Sequence, residues 1–369
     1  MTIHTLRLST PFQRLRRTGR TGGTAITAAV GLVGLAMSLM TAGPELAMNG
    51  PTVSNMAGVL VGAAGLVLLA LAYRSATAGR RWWVHLFGIV IVLAVLQLVI
   101  VPAFNVGVIT HAPKSHVRAA ASLGYPGARD VTFRASDGVA LRGWYVPGTN
   151  GAAIIIMHGS HGTRESELPY VRMVADAGYG VLAVDARGHG ESGGETNALG
   201  WYGDRDVAGA VNFLRRQSHV HPSDIAGLGL SMGAEALLRA LSSGVPLAAI
   251  VADGAGASTS SDAALEPRGA DAPLFNTVSW LTYRGVEAFS GEDEPAGLNS
   301  LLHTTATPVL LIASNAPHEL LLNRRFRSAL GGSAALWHVA DAGHTESSTE
   351  HPEAYRSRVL GFFGHELRE

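Results

Sequence analysis

The chain of 369 residues contains no cysteine. Disulfide bonds, thiolate zinc sites and a cysteine nucleophile are therefore excluded, and the fold must be stabilised by its core alone. Charged residues are also scarce, at 15% of the chain, and the formal net charge is +0 at pH 7. A neutral chain without a large basic patch does not favour nucleic acid as a partner.

Charge is missing above all from three apolar runs near the N-terminus, residues 24–43, 53–73 and 84–101. Each run is about long enough to cross ~30 Å of hydrocarbon at 1.5 Å per residue. We therefore expect residues 1–104 to form a membrane region with three transmembrane helices at these positions, the third closed by Pro102.

The basic residues around these runs predict an orientation in the membrane. Five arginines precede the first run, Glu45 is the single charge between the first two, and Arg74, Arg80 and Arg81 separate the second from the third. The positive-inside rule then places the N-terminus in the cytoplasm and, after three crossings, the rest of the chain outside. We expect a multi-pass membrane protein with an extracytoplasmic domain, whose arginines near the membrane contact anionic lipid.

After a predicted connector over 105–129, residues 130–369 alternate between strand-like and helix-like patterns. Residues 130–146 alternate apolar and polar around Asp137-Gly138, which predicts a β-hairpin. Strands alternating with helices predict a mostly parallel central sheet flanked by helices. The segment 254–307 is too long for one crossover helix, and we expect it to form a small lid. The strand-like apolar runs after the hairpin are 153–157, 180–184, 225–230, 248–252, 309–313 and 335–339.

One serine lies at the junction of such a strand and helix. Residues 225–242 read IAGLGLSMGAEALLRALS, with Ser231 flanked by Gly229 and Gly233. This pattern is typical of the nucleophile elbow of an α/β-hydrolase, in which small neighbours allow a strained turn that exposes the hydroxyl. A second Gly-x-Ser-x-Gly match centred on Ser192 has neither a strand before it nor a helix after it. We therefore predict Ser231 as the nucleophile.

A serine nucleophile needs a base and a carboxylate that orients the base. In this fold the chain order is nucleophile, acid, histidine. His344 follows the last strand-like run and precedes the final helix, so it is the predicted base. Glu319 is the first carboxylate after the run 309–313 and the preferred acid, with Asp253, just beyond the preceding strand, as the alternative.

The remaining requirement is a pair of backbone donors for the oxyanion. The loop after the run 153–157 contains small residues, and we expect the N–H groups of Ser160 or His161 to act together with that of Met232. The histidine pairs His158/His161 and His219/His221 lack a third ligand at a suitable spacing. We therefore predict no metal and no cofactor.

Taken together, HGSHG at 158–162, DARGHGES at 185–192, GLSMGAE at 229–235 and DAGHTE at 341–346 resemble the α/β-hydrolase superfamily. These motifs stand in the order of that superfamily along residues 130–369. The hairpin also resembles the opening of dipeptidyl-peptidase-like and dienelactone-hydrolase-like members. The resemblance implies an α/β-hydrolase fold, and it implies that the motif at 185–192 is structural.

These observations predict a membrane-anchored serine hydrolase that cleaves carboxylic esters, with a small-molecule or lipid-derived ester as substrate. Two alternatives stay open. One is a serine peptidase of the same fold, aminopeptidase-like, which would need an acidic clamp for a free amino group. The other is a catalytically silent membrane receptor or scaffold, since a fold does not decide function.

Overall fold

The chain divides into two units, Met1–Val108 and Ile109–Glu369. The computed structural model describes residues 24, 26–35, 38, 53–77, 88, 94–110, 114–160, 162–194, 196–266, 272–316 and 318–367. In the order of the chain, the helices are α1 (Val53–Thr77), α2 (Val101–Thr110), α3 (Leu168–Ala175), α4 (Gly203–Leu214), α5 (Met232–Ser242), α6 (Ser260–Ala263), α7 (Ala272–Ser290), α8 (Leu298–Leu301), α9 (Glu319–Leu330), α10 (Ser347–Glu350) and α11 (Pro352–Glu366).

The first unit contains helical residues at 24, 26–35 and 38, and helix α1 packs closely against this segment. Gly31 and Gly65 lie at the contact. A Cβ built on Gly31 would lie 2.8 Å from the carbonyl oxygen of Gly65, and one on Gly65 would lie 2.6 Å from the carbonyl oxygen of Gly31. The two backbones therefore touch, which only residues without a side chain allow.

The three predicted membrane spans find no support in the structure. Within the ranges given above, no helix combines the length and the apolar character that a bilayer crossing requires. Parts of the first and third predicted spans lie outside the described residues.

The predicted end of the third span and the connector after it also need correction. A π-helical turn, Leu96–Ile100, leads from helical residues 94–95 directly into α2, so Pro102 lies inside continuous helical backbone. Proline has no N–H to donate within a helix, and the π-helical turn just before it interrupts the regular hydrogen-bond pattern there. The predicted connector, 105–129, thus contains the end of α2 and a 3₁₀ turn, Ala120–Leu123.

The second unit is built on an eight-stranded sheet of order β1-β2-β4-β3-β5-β6-β7-β8. The hairpin β1/β2 is antiparallel, β2 pairs antiparallel with β4, and all other neighbours are parallel. This confirms the predicted α/β-hydrolase fold. The strands are β1 (Arg129–Arg134), β2 (Ala140–Val146), β3 (Ala153–Met157), β4 (Gly180–Asp185), β5 (Ile225–Leu230), β6 (Ile250–Asp253), β7 (Val309–Ser314) and β8 (Ala334–Val339).

Helices cover both faces of the sheet. Helices α4, α5 and α9 pack on one face, and α3 and α11 pack on the other. Strands β3 to β7 are buried along their whole length, which explains their continuous apolar runs, whereas the edge strand β1 alternates. The carboxyl ends of the parallel strands all lie at one edge of the sheet, where the loops carry the predicted site residues.

A buried arginine joins two of these loops. Arg164, in the loop after β3, pairs with Asp185 at the end of β4 and donates to Glu191 at 2.6 Å. The Arg164 backbone N–H also donates to Asp185, at 2.7 Å, and the Glu191 N–H does so at 3.0 Å. The motif at 185–192 therefore braces the loops around the site, as the resemblance implied.

We expect Arg164→Ala to lower the free energy of unfolding of the second unit by about 3–5 kcal/mol, because Asp185 would keep a buried and unpaired charge. Guanidinium unfolding followed by tryptophan fluorescence measures this. Arg118→Ala is the matched control, since Arg118 pairs with Glu165 at the surface and should cost at most about 1 kcal/mol. Equal losses in the two variants would contradict the bracing role.

Candidate active site

Ser231 occupies a strained turn between β5 and α5, with a φ of 51°. A Cβ on Gly229 would lie 2.4 Å from the carbonyl carbon of Gly233, and one on Gly233 would lie 2.2 Å from the carbonyl oxygen of Met157. No side chain fits at either position. The Ser231 N–H donates to the carbonyl of Asp253 at 2.7 Å, which fixes the turn against the neighbouring strand.

Ser231, His344 and Glu319 are brought together in one line of hydrogen bonds. His344 Nε2 lies 2.9 Å from Ser231 Oγ, and His344 Nδ1 lies 2.5 Å from Glu319 Oε2. A carboxylate accepts, so Nδ1 carries the proton and Nε2 is free to accept the serine hydroxyl. The other carboxylate oxygen of Glu319 accepts the Ser314 N–H at 2.6 Å. Glu319 is therefore held at both oxygens.

The environment makes His344 a stronger base than free histidine. The hydrogen bond and the charge of Glu319 raise the pKa of His344, and burial opposes them. The side chain of Glu319 is only 4% exposed, so water screens this interaction weakly.

Asp253, the alternative acid, does not form a hydrogen bond with the imidazole. Its side chain is 1% exposed, and neither carboxylate oxygen has a hydrogen-bond partner of normal geometry among the described residues. Burial raises the pKa of Asp253 to about 7. Of the two candidate acids, Glu319 is therefore the one placed to orient His344.

The loop after β3 lies against the nucleophile, at the place where oxyanion donors were predicted. A Cβ on Gly159 would lie 3.5 Å from Ser231 Cβ. Met232 is the first residue of α5, so its N–H has no intrahelical acceptor. The carbonyl of Ser160 accepts a 2.6 Å hydrogen bond from His189 Nε2. His161, the other predicted donor, lies outside the described residues.

The role of His189 was not predicted from the sequence, which offered only its place in the motif at 185–192. His158 also has a structural role: Nδ1 donates to the Gly159 carbonyl at 2.7 Å, and Nε2 accepts the Ala186 N–H at 3.0 Å. Burial, followed by the charge of His189, lowers the pKa of His158 to about 3. In the described part of the chain, no group of three or more histidine or carboxylate side chains could hold a metal ion.

Ser192 and Asp341 take part in other contacts. The Ser192 hydroxyl donates to the carbonyl of Asp185 at 2.6 Å and accepts the Arg142 N–H at 2.8 Å, which leaves it buried and structural. Asp341 accepts from His351 Nε2 at 2.8 Å on the surface. Neither belongs to the hydrogen-bonded line at Ser231.

The predicted lid segment forms helices α6, α7 and α8 between β6 and β7. Tyr283 of α7 is buried, and its ring stacks on Trp201 at a centroid distance of 6.4 Å. In contrast, Leu274, Trp280 and Phe289 are exposed on the surface of α7. The lid helix therefore has one face packed on the domain and another with large apolar side chains exposed.

Comparison with known proteins agrees with this architecture. Residues 148–267 match the family described as serine aminopeptidase, S33. The uncharacterized protein YfhR of Escherichia coli strain K12 is 27% identical over 246 residues, which cover 64% of this chain and 80% of that protein.

Two solved structures are similar in fold. The esterase Pf2001 of Pyrococcus furiosus superposes with a TM-score of 0.56 at 24% identity, covering 70% of this chain and 99% of that one. The 2,6-dihydroxy-pseudo-oxynicotine hydrolase superposes with a TM-score of 0.52 at 17% identity, covering 94% and 95%. The chain thus has the fold of the α/β-hydrolases. The match of residues 148–267 to the S33 family supports a hydrolase.

Proposed function

We propose that the protein is a serine hydrolase that cleaves carboxylic esters through Ser231, His344 and Glu319. The observation that carries this proposal is the line of two hydrogen bonds, 2.5 Å and 2.9 Å long, from a buried carboxylate through an imidazole to a serine in a strained elbow. Nucleophile, base and orienting acid have the mutual geometry that acyl transfer requires.

In the acylation step, Ser231 Oγ adds to the ester carbonyl carbon while its proton passes to His344 Nε2. Glu319 stabilises the imidazolium that forms. The N–H of Met232, with that of Ser160 or His161, donates to the oxyanion. His344 then gives the proton to the alcohol oxygen, and the carbon–oxygen bond breaks to leave an acyl group on Ser231.

In the second step, His344 takes a proton from water, whose oxygen adds to the acyl carbon. Collapse of this intermediate returns the proton to Ser231 and releases the carboxylic acid. The reaction as written needs no cofactor. The apolar side chains exposed on α7 favour a lipid-derived ester, because an apolar surface at a lid can take up an acyl chain.

A serine peptidase is the second candidate, favoured by the description of the matched family. The same three residues would attack an amide, with His344 protonating the leaving amine. The catalytically silent receptor or scaffold is less well supported, because the strained φ of Ser231 costs free energy that a silent site has no reason to retain.

We also propose that residues 1–104 hold the protein at a membrane, with the N-terminus in the cytoplasm and the hydrolase domain outside. Three observations support this proposal: the three uncharged runs, the distribution of arginines, and the apolar side chains exposed on helices of the first unit. Leu60, for example, is 67% exposed. Exposed apolar surface of this kind marks contact with lipid or protein. The exposed set is Ile26, Val30, Val33, Leu60, Val61, Leu66, Val67, Leu71, Val99 and Phe104.

Fluorophosphonate labelling of the protein in native membranes tests the nucleophile. We expect Ser231→Ala to abolish labelling and to reduce turnover by up to about 10⁶-fold, while Ser192→Ala stays labelled because Ser192 serves the fold. The labelled wild type is then assayed on acyl esters and on aminoacyl amides with a free amino group. Higher kcat/KM on the amides would favour the peptidase, and an unlabelled but folded wild type would favour the silent receptor.

Replacement of the acid tests the identity of the third residue. We expect Glu319→Gln to lower kcat by about 10³–10⁴-fold, because an amide does not stabilise the imidazolium. The neutral imidazole is the active form. The raised pKa of His344 therefore places the acid limb of the wild-type pH–rate profile above about pH 6.5, and Glu319→Gln should move this limb to lower pH. Asp253→Asn should keep kcat within about tenfold. The reverse pattern in the two variants would make Asp253 the acid.

Membrane attachment and orientation are tested together in cells that express the full chain with a C-terminal epitope tag. We expect the protein to resist carbonate extraction, because apolar helices in lipid are not released by high pH. Protease added to the outside should remove the tag. Release by carbonate would contradict the attachment, and a protected tag on an attached protein would contradict the orientation.

A further inference from the structure

Close to His344, the second unit encloses polar side chains that no step of the proposed reaction uses. Asp253 ends β6, Glu167 precedes α3, and Tyr355 lies on α11, and all three are buried. Both carboxylate oxygens of Asp253, Oε2 of Glu167 and the hydroxyl of Tyr355 lack a hydrogen-bond partner of normal geometry within the described ranges. Buried polar groups are ordinarily paired, so this cluster calls for an explanation.

The cluster is acidic and has no basic partner. Among the described residues, neither Asp253 nor Glu167 forms an ion pair with an arginine or lysine. Burial, followed by the charge of Asp253, raises the pKa of Glu167 to about 8. The hydroxyl of Tyr355 faces Asp253 and favours its charged form, although the contact falls short of a normal hydrogen bond. Two like charges buried together away from water disfavour each other, so Asp253 and Glu167 together retain a proton near neutral pH.

The backbone connects Asp253 with both catalytic partners. Its carbonyl accepts the Ser231 N–H at 2.7 Å. The next residue, Gly254, lies against the imidazole, since a Cβ there would be 3.0 Å from His344 Cε1 and 3.3 Å from Nδ1. Asp253 is thus one residue from the imidazole edge that faces Glu319. When ionised, its charge favours the protonated form of His344.

We propose that Asp253 is a positioning residue that acts on the catalytic base through its charge, that Tyr355 favours the ionisation of Asp253, and that Glu167 holds the proton of the buried pair. This inference rests on the proposed function, in which His344 is the base. Glu167 would stay protonated while the Glu319–His344 pair carries the reaction. Asp253 would then add a second negative charge beside the imidazole as the pH rises.

Three replacements should act differently. Asp253→Asn removes the charge, so the pKa of His344 falls and the acid limb of the pH–rate profile moves to lower pH. Tyr355→Phe keeps the ring but removes the hydroxyl that favours the Asp253 anion, so it should act in the same direction. Glu167, whose pKa is about 8, is still protonated where Asp253 ionises, so Glu167→Gln should leave the acid limb unchanged.

The other titratable groups around this cluster are unchanged in all three variants. They come from each element packed near Asp253 or His344: Glu319 on α9, Tyr170 on α3 and Glu235 on α5. A loss of structure alone would not shift the profile in Asp253→Asn and leave it unchanged in Glu167→Gln, since both residues are buried in the same cluster.

The experiment is the rate of fluorophosphonate labelling of the full-length protein against pH. We expect downward shifts on the order of half a pH unit for Asp253→Asn and Tyr355→Phe, and no shift for Glu167→Gln, which replaces a buried acid of the same cluster that is uncharged in this pH range. Asp341→Asn is the matched control, because Asp341 is an exposed acid three residues from His344 whose charge water screens. It should leave the profile unchanged.

An equal shift in Asp253→Asn and Glu167→Gln, or no shift in Asp253→Asn, would overturn the inference. A wild type that is not labelled would instead overturn the proposed function. For that case the titration of His344 is followed by NMR of ¹³C-labelled histidine, assigned with His344→Gln. The same downward shift in Asp253→Asn, with none in Glu167→Gln, is expected there without any turnover, and its absence would again reject the role of Asp253.

Discussion

The close approach of three backbone segments at the turn that carries Ser231 is the constraint on which the candidate site depends. The start of α5 touches the end of β5 at Gly229 and the end of β3 at Met157, with no room for a side chain at Gly233. This contact forces Ser231 into its positive φ and directs its hydroxyl beyond the edge of the sheet. It also brings the loop after β3 against Ser231, where backbone donors are needed.

Two carboxyl groups near His344 differ in role because their surroundings differ. Glu319 accepts hydrogen bonds at both oxygens, from the imidazole and from the Ser314 N–H. Asp253 is equally buried but accepts none of normal geometry, and burial raises its pKa. The same carboxyl chemistry thus gives a hydrogen-bonded partner of the imidazole in one place and a group with a raised pKa in the other.

Much of the second unit could be predicted because its periodicity is simple. Parallel strands covered on both faces must be apolar throughout, so runs such as 153–157 and 225–230 were recognisable with nearly correct ends. The elbow was recognisable because sterics require glycine on both sides of Ser231. Prediction was weaker before residue 110, where an uncharged run predicts burial in lipid or in protein without distinguishing them, and where Pro102 lies inside helical backbone instead of ending it.

Local pattern was enough to predict the fold and to single out Ser231 and His344, because each prediction depends on residue type within a short stretch of chain. The acid was different. Glu319 follows β7 and Asp253 ends β6 at the same edge of the sheet, and the sequence preferred Glu319 by its place in the chain without excluding Asp253. Only the packed structure decides, since it points Glu319 at His344 Nδ1 and turns Asp253 toward Tyr355, a contact between residues about a hundred positions apart.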